Sequence, residues 1–124
     1  LGSQGVPSAS AGSGFLLSAG ELLNGSKARF LYGTMGGCAV PMGGGGWLCV
    51  RPPIRRMPLG GTGGEPPYTN CTGQLSTDFN AWIASGQDPA LVAGASVYVQ
   101  AWSYDPGING NTSLTNALAF VLSP

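Results

Sequence analysis

Histidine is missing from this 124-residue chain, and charge of either sign is scarce: five Lys and Arg stand against five Asp and Glu. Without imidazole the chain has neither the commonest general base nor the commonest zinc ligand, and it has no side chain that ordinarily titrates near neutrality. Charged residues make up 8% of the sequence, against about 25% in an ordinary soluble domain. With a formal net charge of zero, electrostatic capture of nucleic acid or of an anionic membrane has almost nothing to act through. No apolar run reaches the roughly 20 residues that a membrane-spanning helix requires. The expectation is therefore no nucleic-acid partner, no membrane span, no cofactor and no enzyme. A surface this poor in charge also departs from the rule that keeps soluble monomers apart. Such a domain is expected either to carry glycan or to be covered by copies of itself.

What the sequence does hold is glycine (22 residues), proline (10) and a 43% share of hydrophobic residues. That share is too apolar for a disordered tail. Residues 1–13 are small and polar apart from Leu1, Val6 and Pro7, and they read as an N-terminal extension without a core of its own. The start at Leu1 reads as a processed or truncated end. Residues 14–124 read as one domain of about seven or eight short strands separated by Gly/Pro turns. The fold class expected is all-β, an antiparallel β-sandwich of jelly-roll or immunoglobulin-like type with long Gly/Pro-rich loops.

Phe15 to Ala19 reads as a strand, with Glu21 to Ser26 as the turn out of it. Ala28 to Tyr32 alternates, with Phe30 and Tyr32 on one face. The run Gly43 to Gly46 invites a phosphate-loop reading, which fails because no GK[ST] follows and no helical pattern opens. Trp47 to Val50 is a short apolar strand halted by Pro52 and Pro53. Gln74 to Ile83 alternates, with Leu75, Thr77, Phe79 and Ala81 on one face. Ala90 to Val92 suggests one helical or 3₁₀ turn. Ser96 to Tyr104 is the clearest strand, with Val97, Val99 and Ala101 facing one way. Leu118 to Leu122 is apolar on both faces, so it is expected to be central or packed against a neighbour. No segment carries a 3.6-residue period longer than two turns.

Cys38, Cys49 and Cys71 lack CxxC spacing, so a structural zinc site is not expected. Cys49–Cys71 is the first-ranked disulfide, since an apparent strand adjoins each cysteine and a long loop separates them. Closing that loop is worth roughly 3 kcal/mol in the chain-entropy account. The rival pairing, Cys38–Cys49, would staple the glycine loop instead. Three N-x-Ser/Thr sequons make Asn24, Asn70 and Asn111 candidate acceptors of covalent glycan. Asp105, Asn109 and Asn111 share a loop with the oxygen donors calcium prefers, but one carboxylate makes a weak site and no metal is expected. Asp78 reads as a residue on a solvated strand face. Trp47, beside the glycine loop, is the best candidate for stacking on a sugar ring, with Tyr68 as a further one. Trp82 and Trp102 are expected to fill the core or an interface.

Several motifs occur together: Leu48-Cys49-Val50-Arg51-Pro52-Pro53-Ile54-Arg55-Arg56, then Cys71-Thr72-Gly73, then Asp78-Phe79-Asn80-Ala81. Val99-Gln100-Ala101-Trp102-Ser103-Tyr104-Asp105-Pro106-Gly107 and Ser113-Leu114-Thr115-Asn116-Ala117-Leu118 follow. In that order they resemble a domain often found at the C-terminal end of large secreted proteins of planctomycetes and related bacteria. That family commonly ends in a Q-x-W-x-R-D-P … L-S-(N/D)-A-(L/I)-x-F pattern. The resemblance runs from Phe15 to Pro124 and implies secretion and a β-rich domain, with no reaction attached. It also implies a cysteine pair at Cys49 and Cys71. Cys38 stands where the family usually has another residue, and Tyr104 replaces the arginine usual before Asp-Pro.

The function expected from these features is an extracellular or cell-surface structural subunit. It would self-assemble with copies of itself into a filament or lattice, with residues 1–13 pairing along a neighbour's sheet edge. The alternative is a monomeric surface-anchoring or carbohydrate-binding sandwich module.

Overall fold

The computed structural model describes residues 1–22, 25–41, 47–63, 72–104 and 112–124. Among these, the elements are β1 (Gly2–Gly5), β2 (Phe15–Leu22), β3 (Lys27–Gly33), β4 (Gly37–Pro41), β5 (Trp47–Val50), β6 (Arg55–Arg56) and β7 (Gly60–Gly61). They continue with β8 (Gly73–Asp78), α1 (Phe79–Ala84), β9 (Ser96–Tyr104), β10 (Thr112–Leu114) and β11 (Leu118–Val121). The chain is all-β and sandwich-like, as its strand alternation and turn spacing lead one to expect.

One sheet has the order β1-β2-β8; a second runs β10-β9-β3-β6, with β11 also on β9 and β7 also on β3; β4 and β5 pair separately. The paired strands are antiparallel. β9 anchors the second sheet because its inward residues Val97, Val99 and Ala101 are wholly buried. They meet Phe15, Leu17 and Ala19 of β2 and Phe30 and Tyr32 of β3 in one apolar cluster. Burial of each Val, Leu or Phe contributes about 1.5–3 kcal/mol. A row of edge-on aromatic contacts joins the layers: Phe15 on Phe120 at 4.8 Å, Phe120 on Phe79 at 5.4 Å, and Phe79 on Tyr32 at 5.3 Å. Edge-to-face geometry sets the positive ring edge against the negative ring face.

Four local expectations are corrected. The strand read over Gln74 to Ile83 ends at Asp78, and Phe79–Ala84 is a helix. The Asp78 carboxylate accepts from the Ala81 backbone N–H at 3.2 Å, an N-cap bond that turns extended chain into helix. The turn expected at Glu21 is instead a continuation of β2 through an irregularity between Ala19 and Leu22. Glu21 takes φ 57° there, and the chain returns Leu22 to the core at 5% exposure. Ala90 to Val92 is not helical: Ala90 lies in a turn, and the Leu91 N–H donates to the Asp88 carbonyl at 3.3 Å, a single 3₁₀-type bond. β11 is not central: it borders β9, packs Leu118 and Phe120 against the core, and leaves Val121 58% exposed. The strands also outnumber the expected seven or eight, because β6 and β7 are two residues each and β1 lies in a stretch not read as a strand.

Residues 1–13 fold onto their own chain. β1 pairs with β2 in the register Gly2–Ser18 to Gly5–Phe15, while Ser8 bridges Ser123. Gly5 adopts φ 97°, and a Cβ there would collide with the Gly14 carbonyl oxygen, so glycine is required where the two strands start to diverge.

Candidate functional site

The two sheets part at β8, and a cleft of about 470 Å³ opens there, within the size range of ligand clefts. Met57, Pro58, Leu75, Ser76, Asp78 and Trp82 are among the residues that line it. Among the described residues β8 is an edge strand of its sheet, paired with β2 on one side only. Its Gln74 N–H points away from β2, donating to the Thr62 carbonyl at 2.9 Å. Backbone groups two residues apart on a strand face the same way. The exposed Ser76 therefore turns its N–H and C=O toward the cleft. Gly60 also lines the cleft and lies close to Leu75: a Cβ there would come within 2.7 Å of Leu75 Cδ1. A strand edge beside a mostly apolar cleft is an arrangement that accepts an added strand, through main-chain hydrogen bonds and side-chain pockets.

Behind Trp82 lies a polar tie between distant segments. Trp82 Nε1 donates to the Tyr32 hydroxyl at 3.0 Å, and that hydroxyl donates to Asp88 Oδ2 at 2.7 Å. Asp88 is 5% exposed and also accepts from the Ala90 N–H at 3.0 Å. The exposed Arg55 guanidinium stands 3.8 Å away. Burial raises the Tyr32 phenol well above its ordinary range; the Asp88 contacts add to this, and the Trp82 N–H opposes it. Tyr32 thus stays protonated, fixing Trp82 as a donor and acceptor would, rather than moving protons. A second buried tie runs through Gln100, which accepts from the Cys49 N–H and donates to the Trp47 and Thr115 carbonyls at 2.7–2.8 Å.

Asp78 ends β8 part-exposed, as its reading on a strand face expects, and it has a capping role that this reading did not give it. Its carboxylate accepts from the Gly14 N–H at 2.8 Å and the Phe15 N–H at 3.4 Å while capping α1. The Gly14 N–H foremost, with those of Ala81, Phe15 and Asn80, holds the carboxyl below its usual range against the opposing effect of desolvation. Asn80, 1% exposed, bonds the Ser8 N–H and the carbonyls of Val6 and Ser13 at 2.9–3.0 Å.

Trp47 is 56% exposed at the start of β5, away from the cleft lining. Cys38 and Cys49 both carry free thiols, Cys38 Sγ lying 3.7 Å from the Leu48 carbonyl and Cys49 Sγ 3.7 Å from the Trp47 carbonyl. With Cys49 a free thiol, neither the expected Cys49–Cys71 bridge nor its Cys38–Cys49 rival is formed in this structure; Cys71 itself lies outside the described residues. The same holds for Asn24, Asn70 and Asn111, for Tyr68, and for the Asp105 and Asn109 loop. Among the described residues no three His, Cys, Asp or Glu side chains gather as a metal would need. No helix among them is long and apolar enough to cross a membrane.

Residue spacing alone singled out neither the cleft nor its Trp82 wall. The signal that was readable is the apolar Leu75 followed by exposed polar Ser76 on a strand ending at a helix cap. Met57, Pro58 and Gly60 join the lining from another segment, beyond the reach of local pattern. No family model, curated protein or solved structure matches the chain.

Proposed function

We propose that this chain is an extracellular structural subunit that assembles with copies of itself into a filament or surface lattice through its strand edges. The observation that carries this reading is β1. All four of its residues are exposed, it lies at the outside of the first sheet, and Gly2, Ser3, Gln4 and Gly5 include no charge and no proline. Sheet edges in monomers are ordinarily guarded by lysine, proline, bulges or a covering loop. Some other edges carry such guards: Arg55 and Arg56 make up β6 and Pro41 ends β4. Backbone bonds from Ala9 to Ser123 and from Ser123 to Pro7 cover the end of β11. A zero net charge removes the long-range repulsion that would keep copies apart. The exposed Val121 of β11 and Leu16 of β2 add apolar surface suited to burial between subunits.

Sedimentation velocity over a concentration series tests this reading. The wild-type chain is expected to form species much larger than one chain. A variant with Ser3→Lys and Gln4→Lys, which charges the β1 edge, is expected to stay monomeric with an unchanged circular dichroism spectrum. Large species formed equally by both would contradict it. One observation favours a second reading, a monomeric carbohydrate-binding module: the Trp47 side chain is 56% exposed and offers an indole face to a sugar ring. Loss of glycan-array binding on Trp47→Ala, in a chain that never polymerises, would support it instead.

A further inference from the structure

We infer that the cleft beside β8 is the acceptor for Gly2–Gly5 of a neighbouring copy. The inference rests on the self-assembly reading and names its second surface. β1 and β8 lie at opposite edges of the same three-stranded sheet. A contact between two different patches is head-to-tail, and when its rotation does not close it propagates without limit. The β1 edge alone allows only a self-complementary pairing, which stops at a dimer.

Three features of the cleft suit this occupant. Its main-chain donor and acceptor at Ser76 face outward, as deduced from the Gln74 N–H bond to Thr62, and an incoming strand supplies their partners. Its walls are mostly apolar, with Met57, Pro58, Leu75 and Trp82 prominent and Asp78 the charged side chain among the lining, so an acidic segment would be both desolvated and repelled there. Gly2–Gly5 carries no charge. Trp82 is held by its bond to Tyr32, so the wall is set before anything binds.

Ser76→Lys places a charge on the acceptor edge at an exposed position while leaving β1 intact. The Ser3→Lys/Gln4→Lys chain has the converse defect, an intact cleft and a blocked β1. Each variant alone is expected to sediment as a monomer. An equal mixture is expected to form species of twice one chain's mass and no larger, because each pair leaves two blocked surfaces outside. Polymerisation of Ser76→Lys at the wild-type level, or a mixture that stays monomeric, would overturn the acceptor assignment; the self-assembly reading survives that result if the β1 variant is monomeric. A wild-type chain that is monomeric at every concentration overturns both. A readout that needs no acceptor variant is amide hydrogen exchange at Ser76. It should be strongly slowed in wild-type polymers relative to the monomeric β1 variant. Equal exchange in the two would also overturn the assignment, and this holds even if Ser76→Lys fails to fold.

Discussion

The two halves of the N-terminal segment look alike in sequence and are held in different ways. Residues 2–5 and 6–13 are both small, polar and uncharged. Gly2–Gly5 is attached through its ladder with β2 and is exposed at every residue. Just before it, the half-buried Leu1 packs against the core margin and its ammonium group donates to Asn116 Oδ1 at 3.2 Å. Residues 6–13 lack apolar anchors as well, with Val6 66% exposed, yet they are tied by Asn80 to both of their ends. They are also tied to the chain terminus by Ser8 and Ser123. A segment without a core is therefore not always a free one. Buried polar groups must be satisfied, and here Asn80 and residues 6–13 satisfy each other. Removing residues 1–13 together would disrupt the fold as well as any assembly contact, so assembly is better probed at Ser3 and Gln4.

The comparison is most directly broken at Asn80. Asn80→Ala deletes the acceptor of the buried Ser8 N–H and the donor to two carbonyls. Leaving such groups unpaired costs about 1–3 kcal/mol each, so a total loss of about 3 kcal/mol is expected in urea unfolding. Gly5→Ala strikes the joint between the halves, where φ is 97° and the Gly14 carbonyl blocks a Cβ. Strain of this kind costs about 1–3 kcal/mol, and the same unfolding assay reads it. A loss at Gly5 as large as that at Asn80 would show that the halves act as one unit.

Asp78 gives the comparison a pH axis. Its carboxyl lies below its ordinary value of 3.8, chiefly because the Gly14 N–H at the end of the tethered half bonds the ionised form. A group whose pKa is lowered on folding stabilises the fold above the unfolded-state pKa, and that contribution is lost as the pH falls through the folded-state pKa. Thermal melts of the wild type should thus drop in midpoint below about pH 4, and Asp78→Asn should flatten that drop. A drop of equal size in both would place its origin elsewhere. The smallest effect belongs to the untethered half. Ser3→Lys/Gln4→Lys should change folding stability by less than about 0.5 kcal/mol, despite its expected effect on assembly.

Legibility in the sequence followed the range of the interactions. β9 was readable because alternation is local: Val97, Val99 and Ala101 are buried and Ser96 and Tyr104 exposed, as a strand with one covered face requires. The same criterion misread Phe79–Ala84, since the alternating pattern continues past the Asp78 cap that ends β8. An Asp three residues ahead of an amide it caps is a readable helix start, but it competed with a strong strand pattern. Asn80 gave no sign of its role, as its partners at Val6 and Ser8 are over 70 positions away. Asp88 gave as little sign, since its bond to Tyr32 spans 56 positions. The cleft was hidden for the same reason, its walls being brought together by the sheets rather than by any one segment.

Electron microscopy of the native, unreduced chain beside its Ser3→Lys/Gln4→Lys variant tests the central claim most directly. Self-assembly through the unguarded strand edge predicts regular filaments or sheets for the wild type, with a repeat of one small domain, and dispersed particles for the variant. Dispersed wild-type particles at high concentration, or identical filaments from both chains, would contradict it.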